Sequence, residues 1–338
     1  MADNSAIEWT DATWNPIVGC SLVSPGCTNC YAMRMAARLE AMGSASHYAG
    51  TTMPGKAGAV WTGKLAPAPD HILTQPRRWR RPRRIFVNSM GDLFHESVPD
   101  EWIDRVFAVM ALCPEHTFQM LTKRPRRMRA YLFGRSLYER LYDEPSRKAW
   151  PNRTRTGTLT ARNSLYEHSC LPNVLHGVSV EDQRRANEHR PYLSILAKRG
   201  ASTFVSYEPA LGPVDWTGWE FLSGLISGGE SGPCARPTHP DWHRAARDFC
   251  AAHGIPYFFK QWGAWEVAID RDNEDPDWRA DYARKFDGSK PDIAWLNLDG
   301  GQGFHGERFH VMRRVGKARA GRLLDGREHN DLPRRTAA

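Results

Sequence analysis

No stretch of about eighteen apolar residues occurs in the 338-residue chain, so no segment reads as a membrane-spanning helix. The opening "MADNSAIEWTDATW" lacks the basic and apolar blocks of a secretory leader, which predicts a cytoplasmic protein. Cysteine is scarce: seven residues, an odd number at low density, argue against a disulfide framework and fit a reducing compartment. Several catalytic signatures are missing as well. There is no H-E-x-x-H pair, no dinucleotide fingerprint and no Ser-His-Asp arrangement. "ISGGESGPCARP" (226–237) has glycines that allow close backbone approach but not the lysine or spacing of a phosphate-binding P-loop. Internal repeats and low-complexity tracts are also absent.

Positive charge is abundant. The net charge is +8, concentrated in "RRWRRPRR" (77–84), with six arginines in eight positions, and in "KRPRRMR" (123–129). The guanidinium pairs bidentately with phosphate and stacks on bases, so two such runs, with Trp79 inside the first, point to DNA or RNA. The competing reading is a solvated basic surface.

Seven short apolar runs recur at helix-sized intervals: 15–20, 84–89, 116–122, 173–180, 202–207, 224–229 and 255–261. Between them lie helical patterns. Residues 100–112 open on acidic residues suited to a helix N-terminus and carry Trp102, Val106, Val109 and Met110 on one face. In 182–198, Ala186, Leu193, Leu196 and Ala197 fall together, and 240–253 starts with Pro240 and stops before Gly254. Strand-helix alternation with short turns predicts an α/β fold with a parallel sheet. Almost every candidate strand ends in polar residues, which favours a partial parallel β/α barrel with one mouth over an open sheet with a single switch point. The expected organisation is a barrel over 1–263 with a polar insertion at 134–170, then a C-terminal extension or cap over 264–338 that ends in a basic, disordered tail.

The chemistry concentrates in "GCSLVSPGCTNCYA", which spaces Cys20, Cys27 and Cys30 as C-x6-C-x2-C just before a helical pattern at 31–42. Pro25 and Gly26 let the loop turn back on itself. Structural zinc needs a fourth ligand, for which His47 is the nearest candidate. A four-iron, four-sulfur cluster held by three thiolates keeps one iron open. Three inert buried thiols are the third possibility. Cys113 and Cys250 follow apolar helical stretches and read as core.

A three-cysteine loop after the first strand of such a barrel, with Tyr31 beside the last cysteine, resembles radical S-adenosylmethionine (SAM) enzymes. The whole chain resembles a phage- and bacteria-associated three-cysteine-motif family through "WNPIVGCSLVSPGCTNCYA", "NSMGDLFHESVP", "LTKRPRRM", "GVSVEDQ", "SYEPALGPVD", "SGGESGPCARP" and "FFKQWG". The resemblance implies a [4Fe-4S] cluster on Cys20, Cys27 and Cys30 with SAM on the open iron. It further implies one-electron cleavage of SAM to a 5′-deoxyadenosyl radical, and an electron donor such as a flavodoxin or ferredoxin. Here the protein positions the cofactor and excludes water. The loop departs from the usual C-x3-C-x2-C by three extra residues, and Asn29 stands where an aromatic often precedes the third cysteine. By position, Ser89 and Asp92 are candidates for the SAM amino group. Lys123 or Arg124 would meet a carboxylate or phosphate, Ser179, Glu181 and Glu208 would hold ribose hydroxyls, and Glu230 follows a strand directly. Cys234 is a candidate hydrogen-atom donor and Lys260 a candidate substrate contact. The expected function is a radical-SAM enzyme that modifies or repairs a nucleic acid or nucleobase. The alternative is a nucleic-acid-binding protein stapled by zinc or a cluster.

Overall fold

The computed structural model describes residues 5–43, 45–56, 58–134, 170–272, 274–275, 288–301, 303 and 308–335. The expected insertion at 134–170 lies outside them except at its two ends. Seven strands form the main sheet: β1 (Ala12–Trp14), β2 (Arg84–Val87), β3 (Thr117–Thr122), β4 (Val174–Ser179), β5 (Ser202–Tyr207), β6 (Leu225–Gly228) and β7 (Tyr257–Gln261). They pair in chain order, every pair parallel. Right-handed crossovers between successive neighbours put the helices on one face. The sheet therefore curls around its other face into a half-barrel, open between β1 and β7.

The interior layer takes Phe86, Leu175, Phe204, Ile226 and Phe258 from five strands, and Trp9 packs among them from the segment before β1. The outer face meets the helices through Ile85, Val87, Phe118, Val174, Val178, Val205 and Leu225. Strands covered on both faces read as continuous apolar runs, which is why the sequence located six of the seven closely. The first is shifted. Residues 15–20 were expected to form it, yet β1 is Ala12–Trp14 and Ile17–Val18 pairs instead with Ala66–Pro67. Pro16 has no N–H to give a ladder and separates the two pieces. Gly19, at φ 92°, then bridges to Gly91 beyond β2 and delivers Cys20 to the strand ends.

Helix α1 (Tyr31–Ala41) starts directly from Cys30 and buries Ala32, Met33 and Ala36. Asp100 and Glu101 occupy the first turn of α2 (Asp100–Ala111), where they complement the helix dipole. After β3 comes α3 (Pro125–Gly134), and α4 (Gln183–Lys198) is capped by Asp182, which accepts from Arg185 N. His239 caps α5 (Pro240–Ala252), and Gly254 at φ 65° ends it. Beyond β7, strands β8 (Trp265–Asp272), β9 (Ile293–Leu296) and β10 (Arg308–Arg314) form a separate antiparallel sheet in the order β8-β10-β9.

Two expectations are corrected here. The terminal segment is ordered: Phe259 N donates to His329 O, Asp331 N to Tyr257 O and Arg334 N to Ser223 O, while Leu332 packs into the barrel interior. Trp79 is not available for stacking on a base. It is 8% exposed, lies in the core and is covered by the Arg83 guanidinium at 5.1 Å. The run 77–84 also ends on the first residue of β2, at the end of the barrel away from the mouth. Arg77, Arg78, Arg80, Arg81 and Arg84 are exposed there.

Candidate functional site

At the C-terminal ends of the strands a cavity of about 360 Å³ opens, within the size range of small-molecule sites. Cys20, Cys27 and Cys30 form one corner of its wall. Trp9, Phe86 and Leu121 provide apolar lining, and Ser89, Ser179, Ser206 and Asn88 provide neutral polar groups. Charge comes from Glu8, Glu208, Lys260 and Lys317, of which Lys260 Nζ donates to Glu208 Oε1 at 2.7 Å and Lys317 Nζ to Glu8 Oε1 at 3.1 Å.

The cysteine loop is fixed by three strand ends. After β3, the buried Arg124 donates to Ser21 O and Ser21 Oγ at 3.2 and 2.8 Å, and its Nη1 lies 3.7 Å from Cys20 Sγ. Arg124 is itself held by Asp92 at 3.0 Å and Glu96 at 2.7 Å. Asp92 is further committed, accepting from Thr122 Oγ1, Lys123 N and Phe94 N. After β4, the fully buried Glu181 accepts from Ser24 Oγ at 2.7 Å and from Lys123 Nζ. Burial opposes the charge on Glu181, but Lys123 and Ser24 hold its carboxyl below the usual range. Gly26 passes so close that a Cβ there would stand 2.4 Å from Glu181 Oε1. After β6, Glu230 accepts from Asn29 Nδ2 at 3.0 Å and from the Arg236 side chain, which also donates to Pro25 O at 3.0 Å.

Burial, followed by the Asp92 charge, pushes Cys20 up to about 12, and burial also raises Cys30. A bound metal removes that penalty by neutralising the thiolates. Cys30 is the N-cap of α1, where the helix N–H groups of Ala32 and Met33 favour its anion. Among the described residues no two cysteines form a disulfide. Among the described residues, the one set of three or more His, Cys, Asp or Glu ligand atoms within 4.8 Å of one another is His239, Asp241 and His310, far along the chain at the start of α5 and on β10. The three loop sulfurs are therefore spread more widely than around one tetrahedral ion with Zn–S bonds of about 2.3 Å. His47 packs on Tyr48 at 4.7 Å and does not line the cavity.

The structure brings Cys20, Cys27, Cys30, Ser89, Asp92, Lys123, Ser179, Glu208, Glu230 and Lys260 to one cavity. Glu181 lies behind the cysteine loop as its anchor and Cys234 is exposed, so neither is among the lining residues. The sequence reading missed Glu8, Trp9, Asn88 and Lys317. "EWTDATW" carries no motif, and Lys317 reaches the mouth only because the C-terminal sheet folds back.

A family model described as "Protein of unknown function (DUF5131)" matches residues 4–333. The chain belongs to that family. No curated protein matches it. Two solved structures of spore photoproduct lyase are similar at 12% identity. The first is a mutant with bound AdoMet and dinucleoside spore photoproduct, with a TM-score of 0.34 over 89% of this chain and 68% of that one. The second, complexed with dinucleoside spore photoproduct, gives 0.32 over 88% and 67%. At these scores the likeness carries no functional argument, and the reading of this family member rests on its own residues.

Proposed function

We propose that the chain is an iron-sulfur enzyme of radical-SAM type acting on a nucleic acid or nucleobase. The observation that carries this reading is the three-thiol loop, pinned at the mouth of a half-barrel and walling a ligand-sized cavity. Cys20, Cys27 and Cys30 would hold a [4Fe-4S] cluster with one iron facing the cavity. When bound, such a cluster supplies the electron for reductive cleavage of SAM, delivered by a donor such as a flavodoxin or ferredoxin. Arg124, Glu181 and Glu230 are positioning residues that hold the loop. Ser89, Ser179 and Glu208 are assigned to SAM hydroxyl and amino groups, with Lys260 holding the Glu208 carboxylate in place. Trp9 and Phe86 keep water from the floor. The exposed arginines at 77–84 support a polyanionic partner through charge alone, on a face away from the cavity.

Anaerobic reconstitution followed by iron and sulfide analysis tests the cluster, and electron paramagnetic resonance with and without SAM tests the open iron. About four irons per chain, a SAM-dependent spectral change and release of 5′-deoxyadenosine are expected, with iron lost in Cys27→Ala. Stoichiometric zinc without iron would falsify the reading. A cluster whose spectrum ignores SAM removes the radical chemistry, and nucleic-acid binding in low salt no tighter than a neutral control removes the substrate class.

A further inference from the structure

We infer that the cavity lining reads the edge of a substrate nucleobase, with Asn88 determining which base is accepted and Gln261 adding to the affinity. The inference deepens the reading above and rests on it for the reaction, but not for the binding. Asn88 is 2% exposed and neither its Nδ2 nor its Oδ1 has a partner among the described residues. Gln261 is 4% exposed, and its Oε1 is likewise without a partner. Both residues line the cavity. A buried amide left unsatisfied is costly, and a ligand edge that completes its hydrogen bonds removes the penalty.

The backbone supports the same conclusion. Asn88 sits at φ 58°, a left-handed conformation that asparagine tolerates better than most residues and that concentrates at ligand sites. It follows β2 directly, where the chain leaves the strand and borders the cavity.

Charge and shape narrow the ligand class. Arg124 is bonded to Asp92 and Glu96, Lys123 to Glu181 and Lys260 to Glu208, so each of these cations already has a carboxylate. The unsatisfied groups are neutral amides: Asn88 offers a donor and an acceptor side by side, and Gln261, whose Nε2 donates to Glu208 Oε1 at 3.5 Å, offers an acceptor. That is the complement of a base edge, as in the bidentate pairing of asparagine or glutamine with adenine N6 and N7. Trp9 and Phe86, with ring centroids 4.6 Å apart, line the same cavity and give a planar ring an aromatic surface. A base reaching this depth is free or extruded from its stack.

The test uses the iron-free full-length chain and saturation-transfer NMR with thymidine, deoxycytidine, deoxyadenosine, deoxyguanosine and SAM. Saturable binding of one or two of the nucleosides is expected. Asn88→Asp, which replaces the donor with an acceptor, should weaken the preferred nucleoside at least tenfold and change the order of preference. Gln261→Met should weaken binding without changing that order. Circular dichroism checks that both variants fold, and if either does not, the nucleoside panel on the unaltered chain still decides. The inference is overturned if no nucleoside saturates, if SAM is the only ligand, or if folded Asn88→Asp keeps the original affinities and order. Because no iron is needed, failed cluster assembly would leave this result intact, and a well-formed cluster would not rescue an empty panel.

Discussion

Gly26→Ala should release the cysteine loop without unfolding the barrel. The added Cβ would stand 2.4, 2.7 and 2.9 Å from Oε1, Cγ and Cδ of Glu181, all inside van der Waals contact. Glu181 has no room to retreat, since it is fully buried and held by Ser24 and Lys123. Relief therefore requires breaking the Ser24 contact or lifting the loop. A hydrogen bond to a charged group contributes about 1.5–3 kcal/mol, so the loop-closed state should lose about 2–3 kcal/mol. Local opening becomes roughly 30- to 140-fold more frequent at 1.4 kcal/mol per factor of ten. The assay is alkylation of the iron-free chain, with peptide-level mass spectrometry following Cys27, which is 8% exposed. Cys27 should react faster by about that factor, while the core thiol of Cys113 stays protected and the exposed Cys234 reacts equally in both proteins. A Cys27 rate within twofold of the original would refute the clamp. Adding Glu181→Ala to Gly26→Ala should relieve the clash and leave a smaller increase than the sum of the two single variants.

Three further outcomes follow from the same structure. Gly177→Ala places a Cβ 2.3 Å from Phe204 Cζ in the barrel interior and 2.8 Å from Met120 O, and should cost about 1–3 kcal/mol in urea unfolding, recovered only in part by Phe204→Leu because the backbone contact remains. Truncation after Glu328 removes Leu332 and the hydrogen bonds of residues 329–334, and should destabilise the chain by about 2 kcal/mol in the same assay, where a disordered tail would give no change. Acid should weaken the fold through two fully buried histidines, because burial lowers His243 to about 3 and His176 to about 4. Below the ordinary value near 6.5 the unfolded chain takes up protons that the folded chain refuses, so stability present above that pH is lost as pH falls. Each site should cost about 2 kcal/mol between pH 7 and pH 5, and His243→Gln should flatten the slope measured by denaturant titration.

Much of the barrel was legible because strands buried on both faces leave apolar runs, and because the polar residues that follow them mark the mouth. The cysteine trio was legible as a donor set. Its supports were not: Ser24 meets Glu181 from 157 positions away and Asn29 meets Glu230 from 201, distances over which sequence pattern gives no pairing signal. Trp79 illustrates the opposite error. Six flanking arginines made it look like a surface group, but an indole can bury its ring while neighbouring guanidinium groups stay in water, and here Arg83 caps it. The C-terminal sheet was hidden by its Asp- and Gly-rich surroundings and by a bulge that breaks the alternation of its first strand, with Trp265 and Val267 on one face and Ile269 on the other.

The pinned loop also explains the length of the gap between Cys20 and Cys27. The contacts of this segment begin at Ser21 beside β3 and end at Pro25 against a residue beyond β6. Three strand spacings of about 4.8 Å make roughly 14 Å. Four extended residues cover about 13 Å. The long Arg124 and Arg236 side chains cover part of that span, and a loop three residues shorter would lose about 10 Å of reach. It would have to give up one anchor to keep the others. On this geometry the cysteine spacing records how many strands the loop must cross, and a relative with a different gap should differ first in the residues that receive the loop.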